Sequence, residues 1–157
     1  MFKAKILPCL IGILICLAVG MIASWATMPQ VIHWYPLLKQ PSFTPPAYVF
    51  GPMWTFLYIL MGTAAGLIFQ NHQHAFRNRA LSWFSIQLCL NGLWSFIFFS
   101  WHQLAWALVD LGLLWICLIV TIYYFYKTKP LCALLLIPYL IWGSFAFIIN
   151  ASVVYLN

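Results

Sequence analysis

Five runs of apolar residues, each long enough to cross a bilayer as a helix, constrain this chain more than any other feature. They lie at about 6–26, 47–69, 80–101, 104–126 and 131–155. Roughly 20 helical residues span the ~30 Å of hydrocarbon in a membrane. Inside that slab the backbone must satisfy its own hydrogen bonds, which leaves helices or a closed barrel. A barrel needs strands that alternate polar and apolar residues, and these runs do not alternate. Composition removes the soluble alternative. The 157 residues are 66% hydrophobic and 5% charged, where a soluble domain carries about 25% charge, and mean hydropathy is +0.98. The expectation is an all-α membrane protein, a five-transmembrane-helix bundle with a long structured loop between helices 1 and 2, in a single domain over 1–157.

The first run follows Lys3 and Lys5, as the core of a secretory signal would. It is too long for one, and Ser24-Trp25-Ala26 makes a poor cleavage site, so a retained helix is expected. The net charge of +6 sits at helix ends, where it sets orientation and does not mark a nucleic-acid surface. Lys3, Lys5, Arg77, Arg79, Lys127 and Lys129 fall on one side of the membrane and Lys39 alone on the other. The positive-inside rule then puts the N-terminus in the cytoplasm and the first loop and C-terminus outside.

That first loop is dense in prolines and aromatics. It runs from His33-Trp34-Tyr35-Pro36 through Lys39 and Pro41 to Phe43-Thr44-Pro45-Pro46. Each proline fixes φ and lowers the entropy lost on ordering. A stiff aromatic loop over an apolar bundle suits a flat, greasy ligand better than an ion.

Catalytic and metal chemistry find few groups to use. There is no phosphate-binding glycine loop, metalloprotease histidine pair or nucleophile elbow. Asp110 is the only carboxylate side chain, so paired-carboxylate catalysis is excluded and proton-coupled transport lacks its usual relay. A structural role is expected for Asp110, with His102 as its candidate partner. Cys9, Cys16, Cys89, Cys117 and Cys132 are odd in number and lie in apolar runs, so they read as small packed thiols. His72 and His74 share a short basic loop without a further ligand, so no metal is expected.

Helix-face spacing points to an interior site. Gln87, Asn91 and Ser95 repeat every four residues, as do Trp142, Ala146 and Asn150, while Trp54, Tyr58 and Met61 share a face of helix 2. Polar stripes in lipid face the bundle interior. They either glue helices together or, with the tryptophans, line a pocket open towards the first loop. Trp25 and Trp101 read as interfacial anchors. Gly62-x-x-x-Gly66 permits close helix approach, expected inside the bundle before any homodimer.

In this order the motifs resemble the TspO/MBR family, the tryptophan-rich sensory proteins that include the peripheral-type benzodiazepine receptor. The first loop supplies Trp34-Tyr35, Lys39, Pro41 and Thr44-Pro45-Pro46, and helix 2 supplies Gly51-Pro52-Met53-Trp54-Thr55, Tyr58 and Met61-Gly62. Helix 3 supplies Gln87-Leu88, Asn91, Trp94-Ser95 and Phe98-Phe99. Helix 5 supplies Leu136 to Leu140, Trp142, Phe145-Ala146, Asn150 and Leu156-Asn157.

The resemblance implies five helices around a pocket that takes protoporphyrin IX and aromatic drugs of the isoquinoline carboxamide and benzodiazepine classes. It implies ligand contacts from Tyr35, Pro45, Phe50, Trp54, Asn91, Ser95, Trp142 and Ala146. Trp54 and Trp142 hold the positions tied to light- and oxygen-dependent porphyrin breakdown in some bacterial members. No cofactor is required; the porphyrin is ligand or substrate, and membrane lipid is the other partner. Indoles offer large rigid stacking area to a porphyrin at small entropic cost. Lys39, His33 or the start of helix 2 near Ala47 would draw its propionates. The chain departs from the family in carrying Phe43 where tryptophan is usual, and in ending at Tyr155-Leu156-Asn157 with no basic residue, so the animal sterol motif is absent. A binder or sensor, a porphyrin-degrading enzyme and a transporter of tetrapyrroles or small apolar molecules all stay open. A haem protein is disfavoured, because all four histidines lie in or beside loops. The short form looks bacterial, which favours a cell envelope membrane.

Overall fold

In a computed structural model that describes residues 2–157, with side chains from Ile6 onward, the chain forms five long helices and, among the described residues, no strand. The helices are α1 (Phe2–His33), α2 (Ala47–Phe69), α3 (Arg77–Ser95), α4 (Leu104–Thr128) and α5 (Pro130–Leu156). All five are long and apolar enough to cross a membrane. Lys3 and Lys5, whose charge enters the orientation argument, have side chains outside the described residues.

The apolar windows locate the helices well and misplace two ends. α1 continues to His33, well beyond residue 26 and past Pro29, so His33 is helical and not part of the loop. Pro29 removes one backbone bond, but Val31 packs with Phe98 and Phe99, and this tertiary contact carries the helix on. α3 starts at Arg77 although two cations in a first turn oppose the helix dipole; Arg77 Nε instead donates to the Phe69 carbonyl at the end of α2 (2.9 Å). Its far end widens into a π turn over Phe96–Ser100.

Around the bundle the helices follow the order α1, α2, α5, α4, α3. α1 and α2 meet through glycines. A Cβ on Gly62 would overlap the backbone of Gly12 and Ile13, and one on Gly66 the backbone of Pro8 and Cys9. The Gly62/Gly66 pair is therefore used within the monomer, bringing two backbones together as small residues do in lipid. Leu57, Met61, Leu114, Leu118, Leu136 and Tyr139 fill the core, while large apolar side chains such as Leu14, Trp106 and Ile141 face outward. Helix hydroxyls turn back on their own chain, as in Thr63 Oγ1 to the Ile59 carbonyl (2.7 Å) and Ser144 Oγ to the Leu140 carbonyl (2.8 Å). In lipid that satisfies a donor no water can reach.

Trp25 and Trp101 are exposed, 78% and 58%, as anchors at a membrane edge would be. No disulfide forms among the described residues, and only Cys16 and Cys132 are buried; Cys89 is exposed on the outer face of α3.

Candidate functional site

Two asparagine side chains tie the bundle interior together at different depths. Tyr58 Oη donates to Asn91 Oδ1 (2.5 Å), and Asn91 Nδ2 donates to Tyr139 Oη (2.9 Å). One amide thus links α2, α3 and α5. Nearer the loop, Asn150 Oδ1 accepts from Trp94 Nε1 (3.1 Å), and its Nδ2 donates to the Leu104 carbonyl at the start of α4 (3.2 Å). The gluing role of Asn91 and Asn150 is therefore present in full. Above the Tyr58–Asn91 bond the helices part and leave a cavity of about 550 Å³, walled by α1, α2, α3 with its π turn, and α5. Ligand sites of small molecules run about 300–1,000 Å³.

Seven of the eight side chains singled out in the sequence line this cavity: Tyr35, Phe50, Trp54, Asn91, Ser95, Trp142 and Ala146. Pro45 does not. With Pro46 it ends the loop, and the backbone turns helical at Ala47, which itself reaches the wall. Phe50 meets the Trp142 ring edge-on at 5.7 Å, and Trp54 sits 5.7 Å from Tyr58 and 6.0 Å from Tyr139. The Trp142 indole N–H is buried and has no hydrogen-bond partner among the described residues. Such donors are costly to leave unmet. Burial raises the Tyr35 phenol above its ordinary pKa of 10.0, so it stays a neutral donor at the cavity's outer end.

The lid is an aromatic cluster. Consecutive residues of a regular helix point to different faces, yet Phe98 and Phe99 are both buried, because the π turn adds a residue between them and the α3 face below. Trp34 and Tyr35 pack edge-on or tilted against both rings at 5.8–6.5 Å. Trp34 also stacks on His102 at 4.0 Å. His102 holds a left-handed φ of 53° there and pairs through Nε2 with Gln30 Oε1 (3.1 Å). This corrects the expected His102–Asp110 pair: the left-handed turn sends the imidazole over α1. Asp110 is buried in α4, and its Oδ2 has no partner among the described residues. Further along the loop, the Asn157 amide brackets the Lys39 backbone, accepting from its N–H and donating to its carbonyl, both at 3.0 Å. Phe43 leans on Phe145 at 6.3 Å.

Sequence reasoning missed the α1 wall: Gly20, Ser24, Thr27, Met28 and Val31 line the cavity, as do Gly51 and Thr55 of α2. α1 is mostly apolar, and the mark of its inner face is a short stripe of small and polar residues at helical spacing, Gly20, Ser24 and Thr27. No cluster of His, Cys, Asp or Glu suited to a metal occurs among the described residues.

Five membrane-crossing helices enclosing an aromatic cavity under a structured loop define an integral membrane protein. The family model of the TspO/MBR family matches residues 12–156. The chain is 39% identical over 154 residues to the tryptophan-rich protein TspO of Chlorobaculum tepidum, covering 98% of each chain. It is 40% identical over 155 residues to the tryptophan-rich protein TspO of Archaeoglobus fulgidus, covering 98% of this chain and 99% of that one. It is 39% identical over 125 residues to the human translocator protein, covering 78% of this chain and 73% of that one. The chain belongs to the TspO/MBR family.

Proposed function

We propose that this protein binds protoporphyrin IX in the cavity under the first loop, and accepts isoquinoline carboxamide and benzodiazepine-type ligands at the same place. The observation that carries the reading is the buried, unpartnered indole N–H of Trp142 in a cavity that Phe50, Trp54 and Tyr58 also line. A flat π system stacks between Phe50, Trp54 and Trp142, and an acceptor on its edge takes the Trp142 proton. Ser95 lies on the same wall, whereas both ends of the Asn91 amide are already bonded. Positive-inside asymmetry supports an orientation with the lid outside the cytoplasm.

Light-driven breakdown is a second activity proposed for the same cavity. An electron-rich indole beside an excited porphyrin is a redox partner, with oxygen as the oxidant. Purified protein titrated with protoporphyrin IX in the dark should show saturable tryptophan quenching, then bleaching to a new pigment under light and air. Trp54→Phe should keep the binding and lose at least about tenfold in bleaching rate, which is 1.36 kcal/mol or more of barrier. Bleaching that continues unchanged removes the role of Trp54, and absence of saturable quenching removes the porphyrin reading.

A further inference from the structure

The cavity is closed on several sides and open on one. Its inner end stops at Tyr58 and Asn91, and below them the glycine seam holds α1 against α2. Its outer end lies under Tyr35, Phe98 and Phe99. Between the outer halves of α1 and α2 the wall is different. Met21 and Met28 line the cavity and are still 68% and 66% exposed. Gly51 and Thr55, on α2, likewise line it and are exposed. A residue that belongs both to a cavity wall and to the outer surface of a membrane helix sits at an opening, and this opening faces hydrocarbon.

Gly51 precedes Pro52, whose ring crowds the residue before it in a helix, but nothing beyond these chain neighbours asks for glycine. A Cβ there meets nothing within 4 Å, unlike one at Gly12, Gly62 or Gly66, and no glycine among the described residues has positive φ. Glycine within a helix is less stable than alanine. What it leaves at this position is width. Methionines across the gap add a flexible edge that can fold aside.

We propose that the gap between α1 and α2 is a lateral doorway through which a flat, membrane-dissolved ligand reaches the cavity, and that the bare Cα of Gly51 sets its width. The identity of that ligand as a tetrapyrrole rests on the function proposed above; the doorway does not. Protoporphyrin IX is mostly apolar and concentrates in bilayers, so the route from lipid avoids both water and the latched lid.

Gly51→Leu puts a side chain into the opening without meeting the bundle, and Gly51→Ala is the smaller step. In vesicles preloaded with protoporphyrin IX and kept dark, stopped-flow tryptophan quenching should show association and dissociation both slowed about tenfold or more by Gly51→Leu, and less by Gly51→Ala. Unchanged rates overturn the doorway. So does faster dissociation at constant association, which would mean that the new side chain occupies the ligand's own place.

A second measurement needs no porphyrin. With the lipid-exposed Cys89 replaced by serine, Ser95→Cys should be labelled by N-(1-pyrenyl)maleimide dissolved in the bilayer, about tenfold more slowly when combined with Gly51→Leu and less so with Gly51→Ala. A charged maleimide in the water should not label it. Faster labelling from water places access at the lid and overturns the proposal. If wild type fails to bind protoporphyrin IX yet Ser95→Cys shows the lipid-side labelling, the tetrapyrrole reading falls and the doorway stands.

Discussion

Asn91 spends both ends of its amide on other helices, one on Tyr58 and one on Tyr139. Both phenols are buried, Tyr139 completely. Removing the amide leaves two hydroxyls without partners in a medium that offers no water. Each unsatisfied buried group costs about 1–3 kcal/mol. Asn91→Leu should therefore lower thermal stability in detergent by about 2–4 kcal/mol, counting partial relaxation of the rings. Replacing the whole set is a different matter. Adding Tyr58→Phe and Tyr139→Phe to Asn91→Leu should restore most of the loss, because no polar group is then left unpaired. Circular dichroism melts of the single and triple variants separate these outcomes. A single variant as stable as wild type, or a triple variant less stable than the single, would show that the network is not what holds α2, α3 and α5 in register.

Helices differ in how much of their packing the sequence reveals. α3 and α5 carry polar and aromatic residues at four-residue spacing, and in lipid such a stripe has only one low-energy direction, inward; Asn91, Ser95, Trp142 and Ala146 do reach the cavity. α1 carries only the short stripe of Gly20, Ser24 and Thr27, a weaker mark of its cavity face, and nothing in the pattern announces its extension past Pro29. The π turn at Phe96–Ser100 shifts hydrogen bonding by one residue, and side-chain pattern does not encode that shift. Pro45 works on the backbone, where a motif match cannot distinguish placing the chain from touching a ligand. The α1–α2 seam tests the element scale. At Gly62 an added side chain meets backbone, which cannot step aside as a flexible side chain would. Gly62→Val should cost about 3 kcal/mol, the upper end of overpacking penalties, with a lower melting temperature of the detergent-solubilised protein. Unchanged stability would mean that α1 and α2 do not pack through this seam.

For the whole molecule, the open issue is which end of the bundle faces the cytoplasm. The two ends are chemically distinct. One carries the lid, with Lys39 held by Asn157 and His102 over Trp34. The other carries Arg77 and Arg79 at the start of α3, Lys127 in the last turn of α4, Lys129 between α4 and α5, and the Asn71 amide donating to the Thr128 carbonyl (3.4 Å). Translocating a basic loop is disfavoured, so the proposed orientation predicts that the second end lies inside. Two exposed positions report on this without disturbing the fold. The Lys39 contacts with Asn157 are made by backbone atoms, so Lys39→Cys keeps them. Gln73 is exposed in the α2–α3 loop. Cys89, the one exposed native thiol, lies in mid-helix on an apolar face, where a charged reagent does not reach. In intact cells an impermeant maleimide should label Lys39→Cys, and Gln73→Cys only after the membrane is opened. The reverse pattern would place the lid in the cytoplasm and put the cavity's outer end within reach of cytosolic ligands. Labelling of both positions in intact cells would mean that insertion has no fixed direction, and that the charge asymmetry of this chain is too weak to set one.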